Sequence, residues 1–217
     1  MVAMPIIVLF FQEHGLSLTE VMIIQAIYSV SVAVFEIPSG YIADLFGRKP
    51  TIVLSTIASF LGYLVFTFFG GFYVFAAASA LVGIAGSLMS GSDSALIYDT
   101  LLETGDKRTY TKIEGRSYGI GNFSEALAGI LCGFLVVSSI YLPIYIQTGI
   151  IFLSIPIGIT LVEPRIYTNN RLETSYKSMI KISYYTFIKN VYLRYVYRYT
   201  PGILPVYSRY TPGILPV

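Results

Sequence analysis

"PSGYIADLFGRKP", residues 38–50, ends a long apolar run and holds the first basic residues of the chain; the 47 residues before Arg48 contain no Lys or Arg. Pro38 removes the donor that would bond the Val34 carbonyl, a defect a membrane helix carries only where neighbouring helices or a hydroxyl such as Ser39 restore the bond. Ser39, Gly40, Ala43 and Gly47 form a strip of small residues at helical spacing, which lets another helix approach closely. Gly47 suits a left-handed helix end, Arg48 and Lys49 complement the negative end of the helix dipole, and Pro50 suits the first turn of a following helix. The stretch predicts two helices meeting in a short, charged turn at a membrane surface.

Composition supports that setting. The 217 residues are 55% hydrophobic and 12% charged, with a mean hydropathy of +0.70, whereas an average soluble domain has about one-quarter charged residues. The net charge of +2 is too small to argue for a nucleic-acid partner, and the single Cys132 excludes a disulfide framework or a cysteine metal site. Apolar stretches near the about 20 residues that cross a bilayer run over 21–46, 51–69, 72–98, 117–139 and 140–162. "MVAMPIIVLFF" covers only about 17 Å as a helix and reads as the end of a truncated first span. The expected fold class is all-α, a polytopic transmembrane helix bundle of about five and a half spans.

Every Lys and Arg falls on one side of this alternation. Arg48 and Lys49 lie in one connection, Lys107, Arg108, Lys112 and Arg116 in another, and Arg165, Arg171, Lys177 and Lys181 follow the last complete span, while the intervening connections have none. By the positive-inside rule the basic connections are expected to be cytoplasmic, in a multi-pass protein of the cell membrane.

The pattern Gly40, Ala43, Asp44, Gly47, Arg48 and Lys49 resembles the signature that the major facilitator superfamily carries between its second and third spans. "SGSDSALIYDTL" (90–101), "GR" (115–116) and "LVEPR" (161–165) resemble the N-terminal half of the same superfamily more loosely. The resemblance implies secondary transport of a small solute by alternating access, in a twelve-span protein of two six-helix halves, of which this chain holds the first. It implies that Gly40 packs against a helix of the other half, and that Asp44 contacts the N-terminal end of that helix and locks one state of the cycle. Partners implied are the lipid bilayer, a small-molecule solute, protons, and a missing C-terminal half or a second copy. Antiporters of the superfamily often carry a Gly-Pro pair in span five; residues 117–139 have no proline.

Glu36, Asp93 and Glu125 lie in or near the ends of apolar spans, where a charge costs at least about 2.5 kcal/mol and normally faces a cavity or a partner. Glu125, with Asn122 and Gln25 as polar neighbours, is the leading candidate for a proton-coupling or substrate-binding acid. Asp93 and Glu36 are further candidates for the same role; Glu36 and Asp44 also share a face with Gly40, and Asp93 is alternatively a candidate for a cytoplasmic charge network with Asp99, Arg48 and Arg116. His14, the one histidine, reads as a solvated rim residue. No P-loop, nucleophile elbow, dinucleotide fingerprint or metal-ligand pair occurs, so no enzyme, cofactor or metal site is expected.

Three segments follow: an N-terminal bundle over 1–162, a basic connection and the start of a seventh span over 163–197, and a tail over 198–217 in which "RYTPGILPV" occurs twice. Two proline-rich copies are too few for a stacked-repeat architecture, and the tail is assigned no function. A non-transporting membrane sensor or assembly module is the alternative; the coding sequence beyond residue 217 discriminates the two.

Overall fold

The computed structural model describes residues 4–164. The basic connection beyond 164 and the duplicated tail lie outside them. The described residues contain helices and connections but no strand, in keeping with the all-α expectation. A 3-10 turn, Met4–Ile6, leads into α1 (Ile7–Glu13). Then come α2 (Leu18–Phe46), α3 (Arg48–Phe68), α4 (Phe72–Ser90), α5 (Asp93–Glu103), α6 (Tyr110–Ser138) and α7 (Leu142–Thr160). Five stretches are long and apolar enough to cross a membrane: α2, α3, α4 with α5, α6 and α7. This is a multi-pass membrane protein.

Local chemistry sets the ends of these helices. Ser17 caps α2 in a reciprocal box: its hydroxyl accepts the Glu20 N–H, and the Glu20 carboxylate accepts the Ser17 N–H at 2.8 Å. Ser17→Ala is expected to lower stability by about 1 kcal/mol, read as a lower unfolding midpoint in detergent with unchanged helix content. At the other end, α2 continues through Pro38 without a break. The Ser39 hydroxyl donates to the Glu36 carbonyl at 2.8 Å rather than to Val34.

The expected fourth span is interrupted. Gly91 and Ser92 separate α4 from α5, in a run of Gly, Ser and Asp that favours turns and helix starts over helix interiors. Gly91 also meets α2: a Cβ there would lie 3.5 Å from Ser39 Oγ and 3.7 Å from Gly40 N. In α6 the helix begins at Tyr110, so the basic residues Lys112 and Arg116 belong to its first turns rather than to a loop.

α4 lies between α2 and α3. On the α2 side, a Cβ at Gly83 would stand 2.7 Å from the Tyr28 carbonyl oxygen and 2.9 Å from Ser31 Cβ, so the two backbones nearly touch. On the α3 side, a Cβ at Gly62 would strike the Val82 side chain, and the buried Ser55 hydroxyl donates to the Ala85 carbonyl at 2.8 Å. α7 packs on the far side of α3, where the Thr67 and Thr148 hydroxyls are 3.0 Å apart.

The core is aromatic and gathers where α1 meets the bundle. Phe10, Phe11, Phe66 and Phe75 are buried, with Phe11 and Phe75 rings 5.0 Å apart. His14 is half-buried here, not solvated as expected: its Nδ1 donates to the Phe10 carbonyl at 2.9 Å, and Phe10, Phe75 and Tyr141 surround its ring. The Gly129/Gly133 pair of α6, by contrast, makes no close helix contact among the described residues; a Cβ at Gly133 would meet none of them within 4 Å, and one at Gly129 only Pro5, at 3.9 Å.

Candidate functional site

Two sites emerge from the residues singled out in the sequence. The first lies at the α2–α3 turn. Gly47 has φ +108 and ψ 158, a conformation that only glycine adopts without strain, and the buried Thr51 hydroxyl donates to its carbonyl at 2.8 Å. This turn starts α3 within one residue of the end of α2 and places Arg48 beside Asp44. The Arg48 guanidinium bonds Asp44 Oδ1 at 2.8 Å and, with Nε, Asp99 Oδ2 of α5 at 3.4 Å. Arg48 thus joins α2, α3 and α5.

Glu163, just beyond α7, completes the cluster. Its Oε1 accepts the backbone N–H of Arg48 and its Oε2 that of Lys49, both at 2.7 Å. These are unsatisfied donors of the first turn of α3, and a carboxylate there is favoured by charge-assisted bonds and by the helix dipole. A Cβ at Gly47 would stand 3.0 Å from Glu163 Oε1. Glycine is therefore needed both for the backbone angle and for the approach of the carboxylate.

Of the other residues expected here, Gly40 has nothing among the described residues within 4 Å of a built Cβ. It forms an open face with the exposed Glu36 and Asp44, one turn apart along α2. Arg116 is exposed on α6 and makes no ion pair among the described residues. Asp93 stands apart from the Arg48 cluster, because the break before α5 makes it that helix's first residue; there its Oδ1 accepts the Ser94 N–H at 2.6 Å.

Asp93 instead belongs to the second site, a cavity of about 710 Å³ between α5, α6 and α7. Asp93, Glu114, Asn122, Glu125 and Gln147 line it together with Ser117 and Ser124. No Lys, Arg or His is among the described lining residues. The Ser94 hydroxyl donates to Glu114 Oε1 at 2.6 Å, whereas Glu114 Oε2 is buried without a hydrogen-bond partner among the described residues. Carboxyl groups from two helices on a largely apolar space suit a proton or a hydrogen-bonding solute. Gln25 is not part of it; that side chain lines a different pocket, among α1 to α4.

Sequence reasoning missed Glu163, Glu114 and Gln147. Glu163 follows an apolar helix directly, as an anchoring charge at a membrane surface also would. Glu114 sits among basic residues and reads as solvated. Only Gln147, an amide inside an apolar run, carried a usable signal.

The six signature positions at one tight turn, within five membrane-length helices, agree with comparison at the level of the whole chain: the family model for the Major Facilitator Superfamily matches residues 1–210. The chain belongs to the major facilitator superfamily. No curated protein matches it. As a member of the major facilitator superfamily it is a membrane transporter, resident in a lipid bilayer, with a small solute as its cargo.

Proposed function

We propose that this bundle is the N-terminal half of a secondary transporter that moves a small solute by alternating access. The observation that carries this is the Asp44–Arg48–Asp99–Glu163 cluster, which ties α2, α3, α5 and the end of α7 together at one end of the bundle. A half that rocks as a unit needs its helices fastened where the gate forms, and it needs an open face toward its partner; Glu36, Gly40 and Asp44 lie on such a face. Arg48 and Lys49 lie at the same end as the basic start of α6, which supports a cytoplasmic position for that end in the cell membrane.

Coupling is assigned to the cavity among α5, α6 and α7, with Glu125 as the leading acid, Asp93 as the second, and Asn122 as a hydrogen-bonding neighbour. The test is solute flux through an intact transporter containing this half, in proteoliposomes with and without an imposed pH gradient, across a panel of labelled small solutes. Glu125→Gln is expected to reduce gradient-driven accumulation at least about tenfold, a loss of roughly 1.4 kcal/mol of coupling, while solute exchange persists. Unchanged accumulation would remove Glu125 from coupling. Flux by the 217-residue chain alone, with no second half, would show that one bundle suffices and would overturn the two-half assignment.

A further inference from the structure

α6 has two unlike faces. Glu114, Gly121, Glu125 and Ala128 line the acidic cavity. Lys112, Arg116, Ile120, Phe123, Leu127 and Ile130 recur at intervals of three and four residues along the opposite side, and none of them lines that cavity. All six are exposed, Phe123 to 72%. The Lys112 and Arg116 side chains make no ion pair among the described residues. Glu114, the acid between them in sequence, is held on the other face, where the Ser94 hydroxyl donates to its Oε1 at 2.6 Å. Cys132 is the one buried residue of α6 among the described residues, so the bundle gives this helix little packing of its own.

The two cations lie one turn apart, and Arg116 lies one turn before Ile120. From Ile120 to Ile130 the helix rises about 15 Å, half of a hydrocarbon core of about 30 Å and so the depth of one leaflet. A phospholipid has the same layout, a charged head followed by chains one leaflet long. We propose that this face of α6 seats an anionic phospholipid, its phosphate held between Lys112 and Arg116 and its acyl chains lying over Ile120, Phe123, Leu127 and Ile130. The Arg116 guanidinium is a planar fork that pairs two phosphate oxygens, while Lys112 adds a point charge. Arg108, exposed in the 3-10 turn before the helix, adds to the positive potential at this end. Charge selects the occupant. An apolar helix of a partner protein would cover Phe123 but leave both cations without a counter-charge, and a free anion would neutralise the cations but leave the apolar strip bare. Such a seat requires only a membrane and is independent of the transport cycle.

Native mass spectrometry of the full chain in detergent tests this, with phosphatidylglycerol or the phosphatidylcholine of identical chains titrated in. The parent is expected to bind one phosphatidylglycerol at least about tenfold more tightly than phosphatidylcholine, since each cation beside an anionic headgroup contributes roughly a fivefold gain. In the double variant Lys112→Gln/Arg116→Gln the two lipids are expected to bind within about twofold of each other. Both side chains are exposed, so the variant should keep the parent's helix content. Phe123→Ala removes acyl contact alone and is expected to weaken both lipids by a similar factor, leaving the preference intact. Equal binding of the two lipids by the parent would overturn the proposal, because a plain membrane anchor takes either headgroup. A preference that survives in the double variant would place the lipid on cations elsewhere in the chain and overturn it too. Displacement by excess glycerol 3-phosphate would give the site to a free phosphate. A dimer that forms with no lipid adduct on either species would give the face to a second copy, and either result would overturn the lipid seat.

Discussion

Asp44→Asn, in an intact transporter carrying this half, is expected to express and insert like the parent but to turn over about tenfold more slowly. Stability is not the readout, because the Asp44 side chain is 44% exposed and an exposed ion pair contributes only about 0–1 kcal/mol. Turnover depends instead on the balance between inward-open and outward-open forms. An interaction made in one form and absent in the other shifts that balance by its full free energy. Asp44 holds one side of Arg48, whose other side reaches Asp99, so neutralising it unbalances the residue that joins three helices. Glu163→Gln is expected to act in the same direction and more strongly. A carboxylate accepts two backbone N–H groups of α3 at 2.7 Å; an amide offers one oxygen and leaves a helix-start donor unmatched, at a cost of about 1–3 kcal/mol. Thiol accessibility at single introduced cysteines, in a Cys132→Ala background, measures the shift directly. Unchanged turnover and accessibility in both well-inserted variants would reduce the cluster to a packing turn.

Gly83→Leu is expected to be the most damaging small change in the bundle. Its first added atom would meet the Tyr28 carbonyl at 2.7 Å and Ser31 Cβ at 2.9 Å, and two of its three nearest neighbours are backbone atoms that cannot turn aside. Overpacking a formed core costs about 1–3 kcal/mol and sometimes more, a large share of a typical net stability of about 5–15 kcal/mol. Loss of monodisperse protein on size exclusion and a collapse of the unfolding midpoint are the expected measurements. Gly133→Leu is the control. No other helix among the described residues comes within 4 Å of a Cβ built at that position, so it should purify and unfold like the parent. Equal damage at the two sites would show that Gly133 is covered by a helix in the membrane.

Most of the bundle is legible from the sequence because hydropathy belongs to each segment by itself. Twenty apolar residues need a bilayer whatever their neighbours are, so α2, α3 and α7 appear within a few residues of their expected places, while α6 begins about two turns before residue 117, at Tyr110. The break at Gly91–Ser92 was not foreseen, because a single Gly-Ser pair inside an apolar run is compatible with an unbroken helix until its neighbour is known. Here the neighbour is the Ser39–Gly40 segment of α2. Of the two expectations for Asp93, that break separates it from the Arg48 charge network and sets it on the cavity that Glu125 also lines. His14 was read as solvated because no local signal marks a histidine for aromatic company; Phe10 lies in its own helix, but Phe75 and Tyr141 come from distant segments.

The sequence by itself determined the membrane, the helices, the grouping of positive charge and the tight turn at Gly47. Each of these follows from short-range physics: transfer of an apolar segment, the i to i+4 reach of Asp44 to Arg48, and a glycine at a helix end. Only the tertiary structure decided what the turn is joined to and which carboxyl groups share a cavity. Asp99 lies 51 residues from Arg48 in the chain and Glu163 lies 115 away, and no periodicity links such positions. Their meeting depends on how α3, α5 and α7 are packed, and that is set by side-chain volume at contacts such as Gly62, Gly83 and Gly91, where the absence of a Cβ lets backbones come close enough for a carboxylate to find its partner.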